Sequence, residues 1–112
     1  MKNICNKLAA LALCVSMSHA AANTVIGTIS CEQWLGAQDK LADREAYSIW
    51  LSGYMSGANA MYGEMLDRDF IKNSDKISVV DWTDAYCRKY PDSTLDDSAK
   101  ALVKVLKRDM PF

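Results

Sequence analysis

The sequence predicts an all-α fold, a small helical bundle of about four helices with one disulfide joining the first and third. Apolar residues recur three or four positions apart along most of the chain, which is the period of a helix, and alternating strand patterns are almost absent. Most of these segments open with a residue that commonly caps a helix. Only two cysteines remain once an N-terminal export signal is set aside.

The first 20 residues have the organisation of a secretory signal peptide. Two lysines precede an apolar run at positions 8–15, and the small-residue exit Ser18-His19-Ala20 follows. We expect cleavage after Ala20, or as late as residue 22, which leaves residues 21–112 as a single helical domain in the periplasm. Removal of the signal changes the formal charge from −1 to −3, so we expect no nucleic-acid partner.

The two cysteines left after cleavage are Cys31 and Cys87. A lone pair in an exported chain is most simply a disulfide, because the compartment is oxidising and so small a core needs support. A metal site would need further ligands, and the only histidine lies in the signal peptide. A redox pair would place the two cysteines close together in sequence.

Four helices follow from capping signals and periodicity. Ser30 and Gln33 form a capping box for a short first helix. Asp43 is the expected cap of a second helix, which runs from about Arg44 to Leu66. The third and fourth helices are predicted from the capping pairs Ser78 with Asp81 and Thr94 with Asp97, and they end near Pro91 and Pro111.

The second helix has two unusual faces. A wide apolar stripe includes Tyr47, Trp50, Leu51, Tyr54, Ala58, Met61, Tyr62 and Met65. A face of small residues contains Ser52, Gly53, Ser56, Gly57, Asn59 and Ala60. Each helical glycine costs about 1 kcal/mol relative to alanine, so we expect another helix to pack closely here. This neighbour belongs to the same chain if the helix is central and packed on several sides, or to a second subunit in a homodimer.

Residues for catalysis are scarce in the mature chain. With no mature histidine and no unpaired cysteine, the usual nucleophile and base pairs are missing, so we expect a protein that is not an enzyme and that uses no metal and no cofactor. The polar residues of the second helix also argue against a membrane span. Five aspartates lie mostly at helix starts and are interpreted as residues that favour the helix dipole, namely Asp81, Asp84, Asp92, Asp96 and Asp97.

The loop at positions 67–76 is the candidate partner-binding segment. Charges of both signs surround Phe70 and Ile71, and an apolar anchor among charges suits binding of another protein. The alternative is that both apolar side chains pack back onto the bundle. The predicted contact residues are Asp67, Arg68, Asp69, Phe70, Lys72, Asn73 and Asp75.

The chain resembles a family of immunity proteins. The signal peptide, the "CEQWL" start, the "YSIWLSGYMSGAN" helix and the "WTDAYCRKYP" segment with its final amphipathic helix are similar to the Rap/Tai-type immunity proteins. The resemblance covers positions 28–106. It implies a periplasmic, disulfide-bonded helical protein, often a dimer, that inhibits a cell-wall amidase effector of type VI secretion by occluding its active site.

Two alternative functions remain open. The chain also resembles the periplasmic acid-stress chaperone HdeA, through a similar size, one disulfide, the "SCEQWL" start and a basic end such as "VLKRDM". That resemblance implies a protein that dissociates at low pH and exposes apolar surface. The second alternative is an envelope accessory protein of a mobile element.

Overall fold

The computed structural model describes residues 24–72 and 78–108, and these residues form four α-helices. The helices are α1 (Cys31–Gly36), α2 (Leu41–Leu66), α3 (Val79–Lys89) and α4 (Leu95–Arg108). The expected all-α bundle is confirmed. The predicted signal peptide, with its cleavage at residue 20 or 22, lies outside the described residues.

The capping signals predicted for α1, α3 and α4 are present. The Ser30 hydroxyl accepts from the Gln33 backbone N–H at 3.0 Å, and the Gln33 side chain accepts from the Ser30 N–H at 2.9 Å. The hydroxyls of Ser78 and Thr94 each accept from the backbone N–H three residues later, both at 3.3 Å. These bonds satisfy N–H groups that have no partner within the helix.

The predicted start of α2 was wrong. The helix begins at Leu41, three residues before the expected Arg44, and Lys40 precedes it without a side-chain hydrogen bond to the helix. Asp43 therefore lies inside the first turn instead of capping it. A carboxylate in the first turn still favours the helix through the dipole, and this explains why the sequence signal falls so close to the true start.

The disulfide between Cys31 and Cys87 joins α1 to α3, as predicted. Both cysteines are fully buried, and the starts of α1 and α4 are paired beside them. The Cys31 N–H donates to the Ser93 carbonyl at 2.9 Å, and the Leu95 N–H donates to the Ile29 carbonyl at 2.8 Å. On the chain-entropy model, a cross-link that spans 56 residues stabilises the fold by about 4 kcal/mol.

The core is built around α4, which packs against both α2 and α3. Each helix contributes apolar side chains to the core, and two more come from the segment before α1 and the loop after α2. The buried cluster consists of Ile29, Cys31, Trp34, Leu51, Met55, Phe70, Cys87, Leu95, Ala99, Leu102, Val103 and Leu106.

A polar network fixes α1, α2 and α3 relative to one another. The carboxylate oxygen Oδ1 of Asp84 accepts from the Trp34 indole N–H at 2.7 Å and pairs with the Arg44 guanidinium at 2.7 Å. The same guanidinium lies 3.7 Å from the centre of the Trp34 ring, in the position of a cation–π contact. Asp84 therefore serves this network, and its interpretation as a residue of a helix start was wrong.

Helix α2 is buried on one side only. Leu51 and Met55 are its two buried residues, and five members of the predicted apolar stripe pack at the edge of the core while remaining partly exposed. Met61 and Met65 belong to the same stripe but are 61% and 75% exposed. The expectation of a central helix packed on several sides was therefore wrong for the described part of the chain. No helix in that part is long and apolar enough to cross a membrane.

Candidate functional site

An open groove of about 520 Å³ lies between α2 and α4. One wall comes from the middle and second half of α2, and the other comes from α4. We call it the α2–α4 groove, and its lining consists of Gly53, Tyr54, Gly57, Ala58, Met61, Tyr62, Lys100, Val103, Lys104 and Lys107.

The α2 wall contains two glycines, so part of it has no side chains. Gly53 and Gly57 lie one helical turn apart, and a Cβ added to either would meet no neighbouring atom within 4 Å. Both glycines are exposed in the described structure. Their lack of side chains therefore leaves open space that another backbone could approach, at a cost in helix propensity of about 1 kcal/mol each.

The α4 wall carries three lysines on one helical face. Lys100, Lys104 and Lys107 follow one another at i, i+4 and i+7, and no acidic residue among those that the structure describes lines the groove. The Lys107 ammonium lies 4.0 Å from the centre of the Tyr62 ring, so its stem is held against the α2 wall. Lys104 makes no ion pair within the ranges 24–72 and 78–108. The groove is therefore positively charged along one edge.

Lys100 forms an ion pair with a buried carboxylate. Asp96 is 6% exposed, and its Oδ2 accepts from the Lys100 ammonium at 2.6 Å, which raises the pKa of Lys100. Burial, and then the charge of Asp96, raises the pKa of Tyr54, a second lining residue. The other oxygen of Asp96, Oδ1, has no hydrogen-bond partner among the described residues. This oxygen is enclosed by the protein, so Asp96 holds Lys100 from beneath the groove and does not line it.

Apolar surface continues from the groove along α2. Met61 and Met65 lie one turn apart, and Leu66 at the end of the helix is also exposed. Methionine side chains are flexible and polarisable, so they adapt to partners of different shape. Exposed apolar side chains that continue a groove are a common feature of surfaces that contact another protein.

The first two residues of the predicted binding loop, Asp67 and Arg68, form the C-terminal cap of α2. The backbone N–H of Arg68 donates to the Gly63 carbonyl at 2.9 Å, and Asp67 adopts a left-handed conformation with φ 52°. This is the geometry of a Schellman cap. The chain turns so tightly that a Cβ on Gly63 would lie 2.6 Å from the Arg68 carbonyl oxygen, so Gly63 is required by the close approach.

The next described residues of the loop, 69–72, fold back onto α2. Asp69 Oδ1 accepts from the Asn59 side-chain amide and from the backbone N–H groups of Ile71 and Lys72, at 3.0 to 3.2 Å. These bonds, that of Lys72 first, lower the pKa of Asp69. Phe70 is only 2% exposed and belongs to the core. The hypothesis that Phe70 is an exposed anchor was therefore wrong, because its ring fills the interior.

The predicted site residues are thus distributed over three places. Gly53 and Gly57 line the groove, whereas Ser52, Ser56 and Ala60 are exposed on α2 outside its lining. The Asn59 side chain forms hydrogen bonds with the loop after α2, whereas the sequence analysis placed it on a face that packs against another helix. The other loop residues, Asn73 and Asp75, lie outside the described residues.

The row of three lysines on the α4 wall, which we call the lysine wall, was not predicted from the sequence. Its signal is the spacing of Lys100, Lys104 and Lys107, which places all three on one edge of the amphipathic helix. That edge becomes meaningful only when α2 is known to lie beside it, and no sequence pattern specifies which helices are neighbours.

Comparisons with known proteins add no further information about the site. No protein-family model, characterised protein or solved structure matches this chain. Within the described residues, no group of three or more histidine, cysteine, aspartate or glutamate side chains could hold a metal ion. The family assignment therefore stays a prediction, and the groove itself carries the functional argument.

Proposed function

We propose that this protein is an exported binding protein that acts by covering part of another protein, and that the α2–α4 groove is its contact surface. The observation that carries the proposal is the open space above Gly53 and Gly57, beside the lysines of α4. We call these two glycines of the α2 wall the glycine floor of the groove. Two helical glycines in open space reduce helix stability, and no residue in the described part of the chain packs against them in return. Contact with a partner would supply such packing.

The surroundings of the groove support binding over a purely structural role. The polar network at Trp34 and the disulfide hold α1, α3 and the first part of α2 in place. A rigid frame lowers the ordering cost of binding, because few side chains and no helices need to be immobilised. The partly exposed tyrosines and the exposed methionines along α2 are residue types that interfaces commonly use.

The partner that the Rap/Tai resemblance implies is a periplasmic peptidoglycan amidase. In that case the protein is an immunity protein, and the amidase loses activity because its active site is covered. The contact would use the α2–α4 groove and the exposed end of α2, since Phe70 is part of the core.

Inhibition of a purified amidase tests this proposal. The enzyme would be the secreted amidase encoded nearest to this protein's gene, assayed on peptidoglycan with increasing amounts of the mature protein. Gly57→Leu should abolish inhibition because its side chain fills the groove, whereas Gly57→Ala should retain most of it. A Gly57→Leu protein that inhibits as well as the unmodified one would show that the groove is not the contact.

One observation favours an acid-stress chaperone as the second candidate. The loop that buries Phe70 depends on the charged form of Asp69, so acid would weaken the contacts that hold it. At pH 2 the mature chain would also keep eleven positive charges with its carboxylates neutralised. Suppression of another protein's aggregation at pH 2 would support this function, and failure to suppress it would count against it.

A further inference from the structure

We infer that the α2–α4 groove binds an acidic amphipathic α-helix of the partner protein, about two to three turns long. This inference rests on the proposed function and names the partner element. It combines three features of the groove: its length, its glycine floor and its lysine wall.

The length of the groove suits a short helical segment. The lining residues of α2 run from Gly53 to Tyr62, which corresponds to about 14 Å at the rise of an α-helix. The lysines of α4 extend over about 10 Å by the same measure. A helix lying along these walls would therefore contact them over two to three turns.

The glycine floor allows the backbone of that helix to come close. Small residues four positions apart let two helices approach more closely than side chains otherwise permit. Gly53 and Gly57 have this spacing, and the space above them is empty among the described residues. Ala58 and Val103 add apolar surface on either side, so the occupant would turn small or apolar side chains toward the floor.

The lysine wall specifies the charge of the occupant. Lys104 has no ionic partner among the described residues, and no carboxylate lines the groove. Glutamates or aspartates at i, i+4 and i+7 on the bound helix would face the three lysines of α4.

Two other occupants fit less well. A fatty chain needs a site that encloses most of its surface, whereas Gly53, Gly57 and Met61 are all exposed. A second copy of this chain would contact the same surface through a two-fold axis, which brings the two lysine walls near each other. A fatty acid carries a single carboxylate, and a second copy brings its own lysines, so neither occupant matches a row of three lysines as an acidic helix edge does.

Selection of helical peptides on the mature protein tests the inference. The phage library would carry 16-residue helices with a fixed small and apolar face and random residues along both edges. We expect enriched peptides to carry Asp or Glu at i, i+4 and i+7 along one edge. Selection of no helix, or of helices without an acidic edge, would overturn the inference.

Point variants then locate the binding site of a selected peptide. Lys104→Glu should weaken binding about tenfold, since an attraction becomes a repulsion. Lys40→Glu makes the same charge change at the start of α2, far from the groove, and should leave affinity unchanged. Gly57→Leu should weaken binding by at least about tenfold because it fills the floor. Equal effects of Lys104→Glu and Lys40→Glu would contradict the lysine wall as the contact.

Two further measurements exclude the other occupants. Intrinsic fluorescence measures whether dodecanoate binds. Saturable binding, together with a peptide selection that yields no acidic helix, would assign the groove to a fatty chain. Light scattering that shows a dimer, converted to a monomer by Gly57→Leu, would assign it to a second copy. If the amidase is still inhibited by Lys104→Glu but not by Gly57→Leu, the proposed function stands and the acidic helix does not. Full inhibition by both variants would show that the groove is not the contact, which rejects the acidic helix while inhibition of the amidase stands.

Discussion

Asn59 and Asp69 are joined by a side-chain hydrogen bond that holds the loop after α2 against the helix. The Asn59 amide nitrogen donates to Asp69 Oδ1 at 3.0 Å, and the Asn59 oxygen accepts from the Phe70 backbone N–H at 3.1 Å. One helical side chain thus serves both a carboxylate and a backbone group of the same loop. Burial of the Phe70 ring follows directly from this arrangement.

Asn59→Ala should lower the free energy of unfolding by about 1–2 kcal/mol. The change removes both hydrogen bonds and leaves the partly buried N–H of Phe70 without its partner. Urea denaturation of the variant measures the effect. Ser56→Ala, an exposed neighbour on the same helix, should shift stability by less than about 0.5 kcal/mol. Similar losses in both variants would contradict a specific role for Asn59.

Phe70→Ala should cost about 3–5 kcal/mol of stability, as expected for an aromatic ring removed from a core. Phe70→Leu keeps most of the apolar volume and should cost less than about 1.5 kcal/mol. Partner affinity of the folded Phe70→Leu protein should be unchanged, because the ring does not reach the surface. A Phe70→Leu variant with normal stability and reduced affinity would restore the loop as the binding surface.

Acid should weaken the loop contacts through Asp69. The pKa of this carboxyl is lowered in the folded protein, so the unfolded chain takes up a proton first as the pH falls. The contribution of Asp69 is therefore complete above its ordinary pKa of about 4 and is lost as the pH falls through the folded-state value. Unfolding free energies of the native protein and Asp69→Asn should converge between pH 5 and pH 2. A constant difference over this range would contradict the prediction.

Two glycines of α2 should respond to alanine in opposite directions. Gly57→Ala should raise the free energy of unfolding by about 1 kcal/mol, because the added methyl group meets open space and alanine favours the helix. Gly63→Ala should lower it by about 1–3 kcal/mol, because its Cβ would lie 2.6 Å from a backbone oxygen. Thermal melts with light scattering measure both effects. Destabilisation by Gly57→Ala would indicate a close neighbour that these residues do not show.

Asp84→Ala should be the most damaging change to the polar network, with a loss of about 3 kcal/mol. It leaves the Trp34 indole N–H, in a fully buried side chain, without an acceptor and leaves Arg44 unpaired. Asp84→Asn keeps an acceptor for the indole and should cost less. Asp92→Ala, at an exposed position, serves as the control in the same denaturation series. Equal stability of the Asp84→Ala and Asp92→Ala proteins would contradict the network.

Local signals in the sequence were sufficient for the helices and the disulfide. Ser30 with Gln33 specifies a capping box within four residues, and such short-range chemistry does not depend on the rest of the fold. Cys31 and Cys87 were paired because they are the two cysteines left after the signal peptide, and a metal site or a redox pair did not fit them. The start of α2 was missed because Lys40 gives no capping signal, and the first turn forms without one.

Long-range relationships could not be predicted in the same way. Asp84 lies 50 residues from Trp34, and only the packing of α1 on α3 brings the two together. Phe70 appears in the sequence as an apolar residue among charges, which is compatible with either an anchor or a core position. Its burial depends on Asn59, eleven residues earlier, and no periodic pattern records that contact.

The position of the disulfide separates the part of the protein that maintains the fold from the part available for recognition. Cys31–Cys87 and the paired starts of α1 and α4 lie at one end of α4, and the groove begins at Lys100, further along that helix. Substitutions at Gly53, Met61 or Lys104 would leave every contact at the cross-linked end intact. Evolution could therefore change the partner of such a scaffold, residue by residue, while its folding remained under the control of the opposite end.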